Sequence, residues 1–139
     1  MKKSNCINCL KEFTYRPQNS KGKYCSNKCQ RDYQSKESLQ KWLDGRWDGT
    51  KKGFCLSTTI RRYLLEQTNY KCSKCGWCEL NPTTGKSPLE IDHINGDSEN
   101  NRPENLRVLC PNCHSLTPTY KALNYGKGNK ARLKYHKLI

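Results

Sequence analysis

A small α+β fold in two zinc-stapled modules is what this 139-residue sequence predicts. Three observations carry the expectation. Eight of the ten Cys fall into two sets with metal-ligand spacing. Hydrophobic residues make up only 33% of the chain, a marginal core without such staples. Finally, residues 89–120 run from strand alternation through a turn-rich loop to a second alternation, and then to a helix started by Pro111.

The first set, Cys6-x2-Cys9 and Cys25-x3-Cys29, defines an N-terminal four-cysteine zinc finger in residues 1–34 that is loosely treble-clef-like. A knuckle at Cys25 then leads into a helix. Residues 30–47 carry Tyr33, Leu39, Trp42, Leu43 and Trp47 at mixed helical spacing, which predicts a helix ending near Gly45. Residues 44–56 are charged and Gly-containing, and read as a linker or extended arm. Residues 57–69 read as a helix, with Ser57 as N-cap, an Ile60, Leu64 and Leu65 stripe, and Asn69 at the C-terminal cap. Together, residues 35–69 form a helical, basic linker.

The second set is Cys72-x2-Cys75 and Cys110-x2-Cys113, with Gly76 suited to the knuckle turn. Cys78 makes another C-x2-C with Cys75, so the ligand choice stays open there. The Cys72/Cys75 pair mirrors Cys110/Cys113 better. Cys55 and Cys78 otherwise read as small thiols outside the metal sites. The second module spans 70–124, with strands around Leu89 and Ile91 and around Leu106 and Val108. Pro118 cannot donate to the carbonyl of His114, so the closing helix is expected to be short or kinked there. Residues 125–139 are a basic tail without acids.

Composition narrows the function. Lys plus Arg number 26 against 12 Asp plus Glu, a formal net charge of +14. Eight thiolates and two Zn²⁺ would leave about +10. No apolar run approaches the ~18 residues of a membrane span, and no apolar signal segment follows the basic start. A membrane protein and a secreted disulfide framework are disfavoured, so the expectation is an intracellular protein with reduced thiols. A basic chain of this kind suits nucleic acid. Yet six of the twelve acids, Glu79, Glu90, Asp92, Asp97, Glu99 and Glu104, crowd between the two halves of the second zinc set. That concentration raises the question of a catalytic cation.

Asp92-His93-Ile94, Gly96, Asn105-Leu106 and Leu109-Cys110-x2-Cys113-His114 together resemble the HNH, or ββα-metal, endonuclease family. The resemblance covers residues 70–124, and the ending from Cys110 to Lys127 is similar to bacteriophage HNH proteins, many of them homing-type. It implies a single catalytic centre with His93, Asn105 and His114 as the family's three residues. Phosphodiester hydrolysis needs an activated water and neutralised phosphate charge. An imidazole with a reference pKa near ~6.5 suits His93 as the general base. Asp92 and His114 would hold one divalent cation, Mg²⁺ or Mn²⁺ by preference, as a Lewis acid. Asn105 would tie the inter-strand loop and keep His93 oriented. Many family members carry a further metal-binding His one turn on, where this chain has Pro118. Asn100 and Asn101 read as turn residues, and Asp97 and Glu99 as solvated loop acids.

Candidate DNA contacts are Arg46, Lys51 and Lys52 in the arm, Arg61 and Arg62 on the second helix, and Lys121, Lys127, Lys130 and Arg132 toward the end. The expected function is a metal-dependent endonuclease of double-stranded DNA, with two structural Zn²⁺ and no small-molecule cofactor. It would be a monomer that nicks or a dimer that cuts both strands. Rival readings are a zinc-stapled DNA-binding module without cleavage, a restriction- or packaging-associated nuclease, and an RNA-binding protein.

Overall fold

The computed structural model describes residues 1–51 and 55–124. Lys52, Lys127, Lys130 and Arg132 lie outside the described residues. Two compact units divide between Lys41 and Trp42.

The first unit opens with strands β1 (Lys2–Asn5) and β2 (Glu12–Tyr15), antiparallel with Lys2 opposite Tyr15 and Asn5 opposite Glu12. The knuckle between them closes through Cys6 N–H to Lys11 O, 2.9 Å, and Leu10 N–H to Cys6 O, 2.8 Å. The helix α1 (Asn27–Leu43) begins just after Ser26, whose hydroxyl accepts from Cys29 N at 3.1 Å. It starts three residues before the predicted segment and stops short of Gly45, whose φ of 70° breaks it. The sequence boundary at residue 34 falls inside this helix.

In the second unit, the arm after α1 is not simply extended. It forms a small ladder, β3 (Thr50–Lys51) with β4 (Cys55–Leu56). The helix α2 (Thr58–Gln67) follows, capped by Ser57, whose hydroxyl accepts from Thr59 N at 3.3 Å. Thr68 rather than Asn69 is its C-cap, and Asn69 and Tyr70 both turn left-handed beyond it. Strands β5 (Glu90–His93) and β6 (Leu106–Leu109) pair antiparallel, with Asp92 opposite Arg107 and His93 opposite Leu106. Helix α3 (Pro111–Ser115) is short, as Pro118 suggested.

The core gathers Leu65, Leu89, Val108 and Leu109 with Cys72, Cys110 and Cys113, flanked by Leu64, Trp77 and Ile91. Alternation explains the contributions of β6: Leu106 and Val108 are buried while Arg107 is half-exposed. The helix α2, though N-terminal to residue 70, therefore packs into the same core. Trp42 and Ile60 are also fully buried, and Trp42 meets Tyr63 edge-on at 6.1 Å.

Candidate active site and metal centres

Both predicted cysteine sets converge. The four sulfurs of Cys6, Cys9, Cys25 and Cys29 lie within 4.8 Å of one another, as do those of Cys72, Cys75, Cys110 and Cys113. Among the described residues these are the two groups of three or more such side chains able to hold a metal ion. The Sγ–Sγ separations of 3.6 Å for Cys9–Cys25, 3.5 Å for Cys25–Cys29 and 3.8 Å for Cys75–Cys110 test the fit. A tetrahedron with Zn–S of ~2.3 Å has edges of ~3.8 Å, so the residues suit zinc, and no disulfide joins them. Cys78 and Cys55 are exposed and stand outside both groups, and Cys75 lies with Cys72, Cys110 and Cys113.

The knuckles dictate the electrostatics. Burial raises the Cys72 thiol, but the backbone N–H groups of Cys110, Cys75 and Lys74 outweigh it and bring it down to about 6. Cys6 reaches about 6 in the same way, burial being outweighed by the backbone at Cys25, Cys9 and Asn8. Cys113, buried and hydrogen-bonded by the other three thiols, is pushed up to about 12. Hydrogen bonds to Cys29 and Cys9, then burial, push Cys25 up to about 12. Each set thus pairs a thiol pushed down with one pushed up, and in the first set hydrogen bonds from Asn8, Cys25 and Ser26 lower Cys29 as well. Gly76 gives the second knuckle its left-handed residue, φ 78°, where the first has Leu10 at φ 62°.

The ladder builds the other cluster. Residues two apart on β5 share a face. Glu90 and Asp92 therefore both turn toward α3 and its His114. His114 Nδ1 bonds Glu90 Oε2, and His114 Nε2 lies 3.5 Å from Asp92 Oδ1. Asp92 is 5% exposed, and its Oδ2 accepts from Arg107 Nε at 2.7 Å. One carboxylate oxygen is thus paired, and the other faces an imidazole nitrogen. Tyr120 packs edge-on against His114 at 5.2 Å, with Lys121 Nζ 4.9 Å above the Tyr120 ring.

His93, the next residue along, turns to the loop side, its Nε2 2.8 Å from Asn101 Oδ1. Asn105 is buried and binds the loop through three side-chain hydrogen bonds. Its Nδ2 donates to Asn95 Oδ1 at 2.9 Å and Asn100 O at 2.7 Å, and its Oδ1 accepts from Asn95 N at 3.1 Å. None of these bonds reaches the His93 ring, which Asn101 meets instead. Gly96, at φ 77°, brings this loop against Thr119 and Asn124; a Cβ there would lie 2.7 Å from Thr119 Cγ2.

Sequence reasoning passed over Glu90, Arg107 and Asn101. The i, i+2 spacing of Glu90 and Asp92 was a usable signal for the first. Arg107 needed the ladder register, and Asn101 read as a turn residue. Of the cationic candidates, Arg61 Nη2 donates to Leu89 O at 2.6 Å, so it ties α2 to the start of β5. Arg46 pairs with Asp44 at 2.5 Å, and Arg62 lies 3.9 Å from Glu66. Lys51 and Lys121 are exposed.

Residues 83–115 match the HNH endonuclease family model. The chain is 44% identical over 72 residues to the H-N-H endonuclease F-TflIV of Escherichia phage T5, covering 51% of this chain and 31% of that protein. It is 29% identical over 126 residues to the Zorya protein ZorE of Escherichia coli, covering 85% and 33%. The solved type IV phosphorothioation-dependent restriction endonuclease ScoMcrA aligns with a TM-score of 0.43 and 26% identity over 87% of this chain and 27% of its own. The chain spans about a third of the length of its curated relatives. The resemblance to phage-type HNH endonucleases is thereby borne out at the segment that carries Asp92, His93, Asn105 and His114. Among the described residues no helix is long and apolar enough to cross a membrane.

Proposed function

We propose that this chain, whose residues 83–115 match the HNH endonucleases, is a divalent-metal-dependent endonuclease of double-stranded DNA. The observation that carries the reading is the convergence of Asp92 Oδ1 and His114 Nε2, 3.5 Å apart, on the strand whose next residue is His93. Glu90 supports it. A carboxylate on Nδ1 holds that proton and leaves Nε2 as a free lone pair aimed beside Asp92, the usual arrangement behind a metal-binding imidazole. Asp92 and His114 would hold the cation, Mg²⁺ or Mn²⁺. When bound it supplies Lewis-acid stabilisation of the phosphate charge and of the departing 3′ oxygen.

His93 takes the proton from the attacking water as the new P–O bond forms and the P–O3′ bond breaks. Asn105 holds the loop from Ile94 to Asn100 closed beside it. Arg107 keeps the buried Asp92 aimed by occupying only its Oδ2. The two cysteine sets hold structural zinc, the second locking β6 to α3 under the site.

We further assign residues 1–34 to a treble-clef-like finger, 35–69 to a linker whose α2 serves the core, 70–124 to a ββα-metal module and 125–139 to a basic tail. The role we assign, from the likeness of residues 110–127 to phage HNH proteins, is homing-type cleavage. The experiment is plasmid cleavage with added Mg²⁺ or Mn²⁺. His93→Ala should bind the same DNA and cut on the order of 10²–10⁴-fold more slowly. Asp92→Ala and His114→Ala should need more metal. Wild-type cutting by His93→Ala would remove His93 from the chemistry.

A further inference from the structure

We propose that Asn101, braced by Trp42, is the positioning residue that sets the tautomer and ring angle of His93. This deepens the reading of His93 as proton acceptor and rests on it.

Asn101 is 3% exposed, and its Oδ1 sits 2.8 Å from His93 Nε2. A carboxamide oxygen only accepts, so Nε2 carries the hydrogen and Nδ1 keeps the free lone pair. A ring bonded through one nitrogen is thereby prepared to take a proton at the other. The backbone that carries this amide is anchored on both sides. Its backbone carbonyl accepts from Trp42 Nε1 at 2.6 Å, and Trp42 is itself 2% exposed and wedged edge-on against Tyr63. The Asn101 N–H closes the loop turn on Glu99 O at 3.2 Å.

A second observation points to a role beyond turning the chain. Asn101 Nδ2 is buried and has no hydrogen-bond partner among the described residues. An unpaired buried amide costs on the order of 1–3 kcal/mol, so this side chain is held in place at a cost in stability. The atom of that side chain with a partner is Oδ1, and the partner is His93. Asn105, by contrast, spends all its side-chain bonds on the loop.

The test reads the imidazole directly. The chain has three His, so the ring nitrogens of His93 are readily assigned in ¹⁵N NMR of the full zinc-loaded protein. At about pH 8.5, where free imidazole is neutral, the unaltered protein should show a protonated Nε2 and a bare Nδ1. Asn101→Asp keeps an acceptor in place and should keep that tautomer. Asn101→Leu keeps the volume without the acceptor. It should give mixed tautomers and lower kcat by about 10–100-fold, the usual cost of losing an orienting partner, with DNA affinity unchanged. Trp42→Phe, which drops only the indole N–H, should move in the same direction by less.

A proton on Nδ1 in the unaltered protein overturns the proposal. So does an Asn101→Leu variant whose His93 tautomer and kcat match the unaltered protein. If Asn101→Leu fails to fold, the tautomers of the unaltered protein and of Asn101→Asp decide the matter. Failure of the nuclease reading is separate: it appears as absent cleavage by the unaltered protein, whatever the tautomer.

Discussion

Replacing Asn105 with Ala gives a quantitative test of how the loop between β5 and β6 is held. Three side-chain hydrogen bonds disappear: Nδ2 to Asn95 Oδ1, Nδ2 to Asn100 O, and Asn95 N–H to Oδ1. Each is worth about 0.5–1.5 kcal/mol net. The Asn95 side chain is exposed and regains water, which puts that bond at the low end. The other two join partly buried backbone groups to a side chain 7% exposed, and belong nearer the middle. The expected loss is about 2 kcal/mol, localised to the loop.

Hydrogen exchange on the zinc-loaded protein separates local from global loosening. The Asn95 amide, whose acceptor is the deleted Oδ1, should exchange about 30-fold faster, since ~1.4 kcal/mol is a factor of ten. The Ile94 amide bonds the backbone carbonyl of residue 105 at 2.8 Å and should change less. The ladder amides of β5 and β6 should hardly move. Equal acceleration at Asn95 and across the ladder would refute a loop-specific role. No acceleration at Asn95 would refute the bonds themselves.

Four further outcomes are expected. Elemental analysis should find close to two Zn²⁺ per chain in the unaltered protein and in Cys78→Ser, and about one in Cys72→Ser, which loses a ligand of the second set. Leu10 is 78% exposed at φ 62°, so Leu10→Gly should relieve left-handed strain and raise the thermal stability of the first unit by about 1 kcal/mol; a lower melting temperature would show that the strain is absent. Arg61→Ala should cost about 1.5–3 kcal/mol in denaturant melts by freeing the Leu89 carbonyl, whereas Arg62→Ala should leave stability unchanged and weaken DNA binding slightly; the reverse pattern would reassign both. Affinity for uncut duplex should fall on the order of 10³-fold between about 50 and 200 mM salt if about six phosphates are contacted, and deleting residues 125–139 should flatten that dependence.

The cysteine spacing marked the knuckle pairs from sequence alone, because a C-x2-C knuckle is a local object whose geometry is settled within a few residues; that their sulfurs gather in two fours, with Cys78 outside, was decided by the fold. The period-2 alternation around Leu89–Ile91 and Leu106–Val108, with Pro111 after it, likewise made β5, β6 and α3 legible. The helix caps at Ser57 and near Gly45 were readable for the same reason. What the sequence did not disclose lies in partners set by register and by chain segments far apart. His114 stands 24 residues from Glu90, and only the β5–β6 ladder and the path of α3 bring them together. Arg107 meets Asp92 because the antiparallel register places them opposite each other. Trp42 and Asn101 are 59 residues apart, and composition marks one as a helix aromatic and the other as a turn residue. Arg61 looks like a free surface cation until the start of β5 supplies a carbonyl for it. Local spacing specifies which chemistry a segment can offer; tertiary packing decides which atoms of it are already engaged, and so which remain for substrate.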